Sequence, residues 1–275
     1  MSVVSNENPI KIVASDLDGT LLAPDHKLSA FSKKTLKELH AKGFTFIFAT
    51  GRHHVDVAGI REIAGIPAYM ITSNGARVHD QNDAEMYSKN VPQDLVQAII
   101  DLVKEDKRVI THIYRNDTWL MSREDEALHA YHNESGFHYQ LFDINNAPAD
   151  GIAKVFFTNE DHDHEMLVVY ENLINEKFAG QVNVAFSTPY CLEVMGAGVS
   201  KGDALKAVAE SLNLTLENCI AFGDGMNDVE MLSMAGKGLV MGTAHEKVMK
   251  ALPEVEVIGS HADDAVAHYL HEHLF

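Results

Sequence analysis

The chain has 275 residues, 46% of them hydrophobic and 23% charged, with a formal charge of -18. That make-up belongs to a folded globular protein with room for one large core or two smaller ones. So acidic a chain argues against a nucleic-acid partner, whose phosphates it repels, and no apolar run approaches the length of a membrane span. Cys191 and Cys219 lie far apart in apolar stretches, which fits inert thiols in a reducing compartment. The polar start, Met1 to Pro9, lacks the positive region and apolar block of a signal peptide, so a cytoplasmic protein is expected.

The first apolar run, Ile10 to Ala14, reads as a strand that gives out into Ser15-Asp16-Leu17-Asp18-Gly19-Thr20. Ser29 can cap a helix running to about Lys42, with Phe31, Leu36 and Leu39 inward and Gly43 as its stop. Phe44 to Ala49 is a continuous apolar run, the mark of a strand buried on both faces, and it delivers Thr50-Gly51-Arg52. A helix from about Val55 to Ala64 and a strand from Ala68 to Ile71 follow, ending in Thr72-Ser73-Asn74-Gly75. From about Ala84 the rhythm changes. Pro92 opens an amphipathic helix to about Lys104, and Val109 to Tyr114 and Trp119 to Ser122 flank a hairpin signal at Asn116-Asp117. A short helix at Glu126 to Asn133, strands at Ala153 to Thr158 and Val182 to Phe186, and a helix near Glu165 to Phe178 complete this stretch.

The alternation of strand and helix then resumes. Gly198-Val199-Ser200-Lys201-Gly202 opens a helix to about Leu212, and a strand from Cys219 to Phe222 runs into Gly223-Asp224-Gly225-Met226-Asn227-Asp228. A helix to about Ala235, a strand from Gly238 to Met241, a helix from His245 to Leu252, a strand from Val255 to Ile258 and a helix from Asp263 close the chain. The expected architecture is α/β: a Rossmann-like parallel sheet built from residues 1–84 and 190–275, with a separate α+β module of residues 85–189 inserted between them.

Chemistry-bearing residues fall in four loops at strand ends or helix starts, which is where an open parallel sheet builds its ligand crevice. Asp16 and Asp18 repel each other unless a cation or a shared proton intervenes, and oxygen-only ligands suit a hard ion such as Mg2+. One acid can then be a nucleophile and the other a proton carrier. Thr50 with Gly51, Lys201, and Asp224 with Asn227 and Asp228 add donors, a cation and further acids. Each alone has a plainer reading, as an Asx turn, a helix cap or a solvated lysine. Together they supply what phosphoryl transfer requires: a nucleophile, a metal and donors around the transferred oxygens.

With these residues in hand, the four segments resemble the four motifs of the haloacid dehalogenase-type phosphatases, and the insertion resembles the large cap of the Cof-type subfamily, C2B in type. The stretches Phe48-Ala49-Thr50-Gly51-Arg52-His53-His54, Thr72-Ser73-Asn74-Gly75-Ala76-Arg77 and Ala221 to Asp228 carry the subfamily likeness. The resemblance implies that Asp16 attacks phosphorus to give an aspartyl-phosphate and that Asp18 protonates the leaving oxygen and later activates water. It implies Mg2+ held by Asp16, the Asp18 backbone carbonyl and Asp224, with Asp228 behind them. Phosphate would meet the Leu17 backbone, Thr50, Gly51, Lys201 and Asn227. The implied substrates are small phosphate monoesters, pyridoxal phosphate or sugar phosphates among them, with no obligate protein partner.

Around this set, Arg52 reads as a brace for its loop or the cap, and His53 and His54 as groups able to line the pocket. Tyr114, Trp119, His112 and Tyr190 are the cap side chains that could touch the leaving group. His162 with His164, and His268 with His271 and His273, join no four-ligand zinc set. Met226, Met231 and Met234 read as core filling, and Gly223-x-Gly225 lacks the third small residue of a dinucleotide fingerprint. Two alternatives stay open from the motifs: a phosphomutase using the same aspartyl-phosphate, and a receiver module that keeps the phosphoryl group. Asp18 two residues after Asp16 favours turnover over storage.

Overall fold

The computed structural model describes residues 10–125, 137–159 and 161–275. In chain order it begins with β1 (Ile12–Ser15), α1 (Ala30–Ala41), β2 (Thr45–Ala49), α2 (His54–Ala64), β3 (Ala68–Thr72), β4 (Arg77–His79) and β5 (Glu85–Ser88). Next come α3 (Gln93–Ile100), β6 (Val109–Arg115), β7 (Thr118–Met121), β8 (Tyr139–Leu141), β9 (Ile152–Asn159), α4 (His164–Lys177), β10 (Val182–Thr188) and β11 (Cys191–Gly196). The last part holds α5 (Lys201–Ser211), β12 (Cys219–Gly223), α6 (Val229–Met234), β13 (Lys237–Val240), α7 (Glu246–Ala251), β14 (Glu256–Val257) and α8 (Ala265–Leu274). The helix expected at Glu126 to Asn133 lies outside the described residues.

An eight-stranded sheet runs β14-β13-β12-β1-β2-β3-β4-β5, parallel from β14 to β3 and antiparallel at β4 and β5. β1 lies between β2, which follows it in the chain, and β12, which comes much later. Here the strand order reverses, and a crevice opens at the carboxyl ends of the flanking strands. The central strands β1, β2, β3 and β12 are largely apolar because both faces are covered. Val13, Phe46, Phe48, Met70 and Phe222 pack towards α1, α2 and α8, while Ile12, Ala14, Ile47, Ile71 and Ala221 pack towards α5, α6 and α7. Each such burial stabilises the fold by about 1.5–3 kcal/mol for a large side chain. At the start of α1 the Ser29 hydroxyl accepts from the Ser32 N–H at 2.9 Å, as the sequence predicts.

The inserted module forms a six-stranded sheet in the order β10-β11-β9-β6-β7-β8. One face is covered by α3 and α4 through Leu95, Ile99, Leu167 and Ile174. The other is aromatic, with Tyr114, Trp119, Phe137, Tyr139 and Phe156, and it packs on Ala76 and Val199 beside the first sheet. The module is therefore seated on the crevice side.

Sheet membership shifts both expected boundaries. Residues Glu85–Ser88 pair with β4 and belong to the first sheet, and Cys191–Gly196 pairs with β9 and β10 and belongs to the second. Glu85–Ser88 is short and mostly exposed, so Met86 and Tyr87 alone give little strand signal. The crossings between units fall at residues 89–92 and 197–200. Arg77, 4% exposed, ties the first crossing down: its guanidinium donates to the carbonyls of Lys89 and Gly151 and to Asn90 Oδ1. The helix expected to reach Lys104 stops as a regular helix at Ile100 and continues as turns.

Candidate active site

Four strand ends or helix starts meet at the crevice. β1 delivers Asp16, β2 delivers Thr50 and Gly51, α5 begins with Lys201, and β12 delivers Asp224 with Asn227 and Asp228 one turn later. Lys201 is fully buried and donates to Asp16 Oδ1 at 2.7 Å and to Asp228 Oδ1 at 2.6 Å. The other oxygen of Asp228 accepts the backbone N–H groups of Asp224 and Gly225 at 3.0 and 2.9 Å. With both oxygens engaged, Asp228 shapes its loop and anchors the lysine. Asp224 faces the opening, and its Oδ1 accepts the Thr20 hydroxyl at 3.1 Å. A Cβ on Gly19, where φ is +78, would meet Asp224 Oδ2 at 2.3 Å. Only glycine lets this turn pass so close to the acid.

One ammonium thus faces three carboxylates, Asp16, Asp224 and Asp228, and one oxygen of each lies within 4.8 Å of the others. Burial lifts the Asp16 carboxyl well above its ordinary value, and the charges of Asp228 and Asp224 lift it further against the pull of Lys201. Burial and the Asp228 charge likewise push Asp224 up to about 7. Burial pulls the Lys201 ammonium down, and Asp16 and Asp228 more than offset it, so its pKa rises. The cluster is short of positive charge, and its oxygen-only donors fit Mg2+.

The Asp18 carboxylate does not join this cluster. Arg52 grips it with two bonds, Nε to Oδ2 at 2.7 Å and Nη2 to Oδ1 at 2.6 Å, and His26 Nδ1 lies 3.1 Å from Oδ1. Burial pushes this carboxyl up, but the bonds from His26 and Arg52 win and hold it well below the usual range. Arg52 also reaches Asp56 at 3.0 Å. It bonds within its own loop and holds Asp18 as well.

Leu17 buries its side chain, so it offers only backbone to the site. The Thr50 hydroxyl oxygen accepts the Arg52 N–H at 3.1 Å, which leaves its own hydrogen for a ligand. Asn227 donates to Asn74 Oδ1 at 3.0 Å. His53 is a correction: it is 1% exposed and joins the two units, Nε2 donating to the Asn116 carbonyl at 2.8 Å while Nδ1 accepts from Val55. Burial and the His54 charge push it down to about 3, so the ring is neutral. His54 binds Asp117 at 2.9 Å across the same junction.

A cleft of about 1060 Å³ runs between the units, with Asp224, Asn227 and Asn74 at one end and Tyr190, His162 and Lys247 farther out. Tyr190, stacked on His162 at 4.3 Å, lines it. Trp119 and His112 do not line it: His112 is buried, bonded to Thr158 and Trp119, and stacked on Phe156. Met226 is another correction, since it is 39% exposed at the cleft wall, whereas Met231 is core. His271 packs α8 on α1 through Thr35 and Phe31, and no histidine joins a metal-binding group among the described residues. Both thiols are pushed up to about 12 by burial and are inert at neutral pH.

Two buried charges escaped the sequence reading. Lys154 of β9 and Glu193 of β11 pair on the core-facing side of the cap sheet, and they reach the Gly51 carbonyl and Asn74 of the core loops. The signal that could have found them is a lone charge, opposite in sign, in each of two otherwise uncharged strands.

The sequence pattern of the haloacid dehalogenase-like hydrolases matches residues 13–270. A Haemophilus influenzae protein provisionally named a phosphatase is 43% identical over 263 residues, covering 95% of this chain and 96% of its own. A Yersinia pseudotuberculosis protein named HMP-PP phosphatase is 39% identical over 264 residues, covering 96% and 95%. A solved sugar phosphatase of haloacid dehalogenase subclass IIB superposes with a TM-score of 0.81 at 21% identity, covering 95% of this chain and 98% of that one, which speaks to the shared fold. Geometry, family pattern and relatives agree: the chain belongs to the haloacid dehalogenase-like hydrolases and is a phosphatase.

Proposed function

We propose that the protein is a Mg2+-dependent hydrolase of small phosphate monoesters that works through an aspartyl-phosphate on Asp16. The observation that carries this reading is the charge imbalance of the site, three carboxylates within 4.8 Å against the single ammonium of Lys201. Mg2+ held by Asp16, Asp224 and the Asp18 carbonyl, with Asp228 behind, would supply Lewis-acid stabilisation of the transferred phosphoryl oxygens.

The protein's own groups do the rest. An Asp16 oxygen forms a bond to phosphorus as the bond to the leaving oxygen breaks, and Asp18 gives that oxygen its proton. Water then attacks phosphorus while Asp18 takes the proton back, the bond to Asp16 breaks, and inorganic phosphate departs. The Leu17 and Gly51 backbone, Thr50, Lys201 and Asn227 supply donors to the equatorial oxygens. Asp18 is held as a carboxylate by Arg52, so for its acid step it must leave Arg52 and take up a proton from solvent before passing it to the leaving oxygen.

The cleft beyond Asp224 accommodates a leaving group of metabolite size. Pyridoxal phosphate, hexose phosphates and HMP-PP, the compound in the name of the Yersinia relative, are the ones to compare. The test is phosphate release from each, with Mg2+ or chelator, by the native chain and by Asp16→Asn. Release that requires both Mg2+ and Asp16 is expected, and release that survives the loss of either contradicts the mechanism.

A further inference from the structure

Lys154 and Glu193 are charged residues placed by the cap, 2% exposed each, on strands otherwise uncharged. Strand register makes them neighbours. Glu193 stands opposite Phe156, and Lys154 lies two residues along the same strand, so their side chains share one face of the cap sheet. The ammonium binds Glu193 Oε1, donates to the Gly51 carbonyl at 2.7 Å, and lies over the rings of Tyr114 and Phe156 at 4.7 and 4.5 Å. The other carboxylate oxygen accepts from Asn74 Nδ2.

Both contacts across the interface end on groups that shape the phosphate pocket. The Gly51 carbonyl and the Arg52 N–H belong to one rigid peptide plane. Lys154 fixes the first and the Thr50 oxygen accepts the second at 3.1 Å. The plane therefore sets the Thr50 hydroxyl with its hydrogen free. On the other side, a carboxylate on Asn74 Nδ2 dictates which way that amide lies, leaving its Oδ1 to accept from Asn227 Nδ2 at 3.0 Å. Asn227 then keeps one amide hydrogen for a phosphate oxygen. Asn74 itself is held with φ at +58, its N–H donating to the Thr50 carbonyl at 3.0 Å.

We infer that Lys154 and Glu193 are positioning residues for phosphoryl transfer, through which the seated cap orients Thr50 by way of Gly51 and orients Asn227 by way of Asn74. The inference rests on the phosphatase reading of the core loops. It makes the phosphate pocket complete only when the cap is seated, which couples exclusion of water to the readiness of the donors. The pair acts on every substrate alike, because it touches the loops and not the leaving group.

The test uses the full chain with Lys154→Met and Glu193→Leu combined, so that neither charge is left alone, and a cooperative thermal transition as the check on folding. Misplaced donors predict a fall in kcat of about 10²-fold on p-nitrophenyl phosphate and on hexose phosphates alike, together with weaker binding of inorganic phosphate by calorimetry. Adding Asn74→Ala to the double variant is expected to cost little more, since the two act in series. Unchanged kcat and phosphate affinity in the folded double variant would overturn the inference, as would a loss confined to one substrate. Failure of the native protein to release phosphate from any ester would defeat the phosphatase reading instead, and the phosphate-binding comparison would still decide the role of the pair.

Discussion

Two buried lysines sit close to the phosphate loops, and they differ in charge balance. Lys154 meets one carboxylate, Glu193, and the pair is neutral and fully partnered. Lys201 meets two carboxylates directly and a third, Asp224, close by. A balanced buried pair is a fastener whose value lies in what it orients. An unbalanced cluster stores electrostatic repulsion, and a folded protein keeps such a cluster when a cation and an anionic substrate complete it. The contrast separates positioning from chemistry without reference to any bound group.

The largest effect that would sharpen this contrast is expected from Lys201→Met. It strands Asp16 and Asp228 in the interior, and a destabilisation of about 3–5 kcal/mol at neutral pH follows. Phosphate release should fall by at least about 10²-fold. Denaturant melts at two pH values check the cause: the loss should shrink in acid, where the stranded acids take up protons. A loss independent of pH would mean that packing, not charge, sets it.

Next in size is the fastener. Lys154→Met alone leaves Glu193 buried without its cation and should cost about 3–5 kcal/mol, whereas adding Glu193→Leu should restore most of that stability. If the double variant were as unstable as the single one in urea melts, the pair would not be the balanced unit described above.

A third expectation concerns pH and metal. Asp224 titrates at about 7 in the folded chain, above its value of about 3.9 when unfolded. Between those values the folded state binds the extra proton, so this group's contribution to stability is present at low pH and is lost as pH rises through the folded value. A divalent cation replaces the proton. The rise in melting temperature on adding Mg2+ should therefore be greater at about pH 8 than at about pH 5. Equal shifts at both would place the ion elsewhere. The smallest effect belongs to Tyr190→Ala at the cleft wall, which should alter the ratio of kcat/KM between substrates by roughly tenfold and leave stability nearly unchanged.

The same contrast explains what could be read from the chain. Asp16, Thr50, Lys201 and Asp224 were legible because each follows an apolar strand or opens a helix, and the parallel fold gathers such ends at one edge. The central strands β1, β2, β3 and β12 were legible for the same reason, being buried on both faces. Lys154 and Glu193 were not, since 39 residues separate them and only the register of β9 with β11 makes them neighbours. The grip of Arg52 on Asp18 spans 34 positions, and no local pattern encodes it. His53 was misread because a histidine beside a catalytic loop looks the same in sequence whether it faces substrate or, as here, the Asn116 carbonyl of the cap.

The central claim, that Asp16 is the nucleophile, is tested most directly by quenching the protein with borohydride during turnover of a phosphate ester and mapping the product by mass spectrometry. An acyl phosphate is reduced to the alcohol, so residue 16 should be recovered as homoserine, in a fraction that falls when Mg2+ is chelated. Reduction at another carboxylate, or none in a protein that is turning over, would contradict the account.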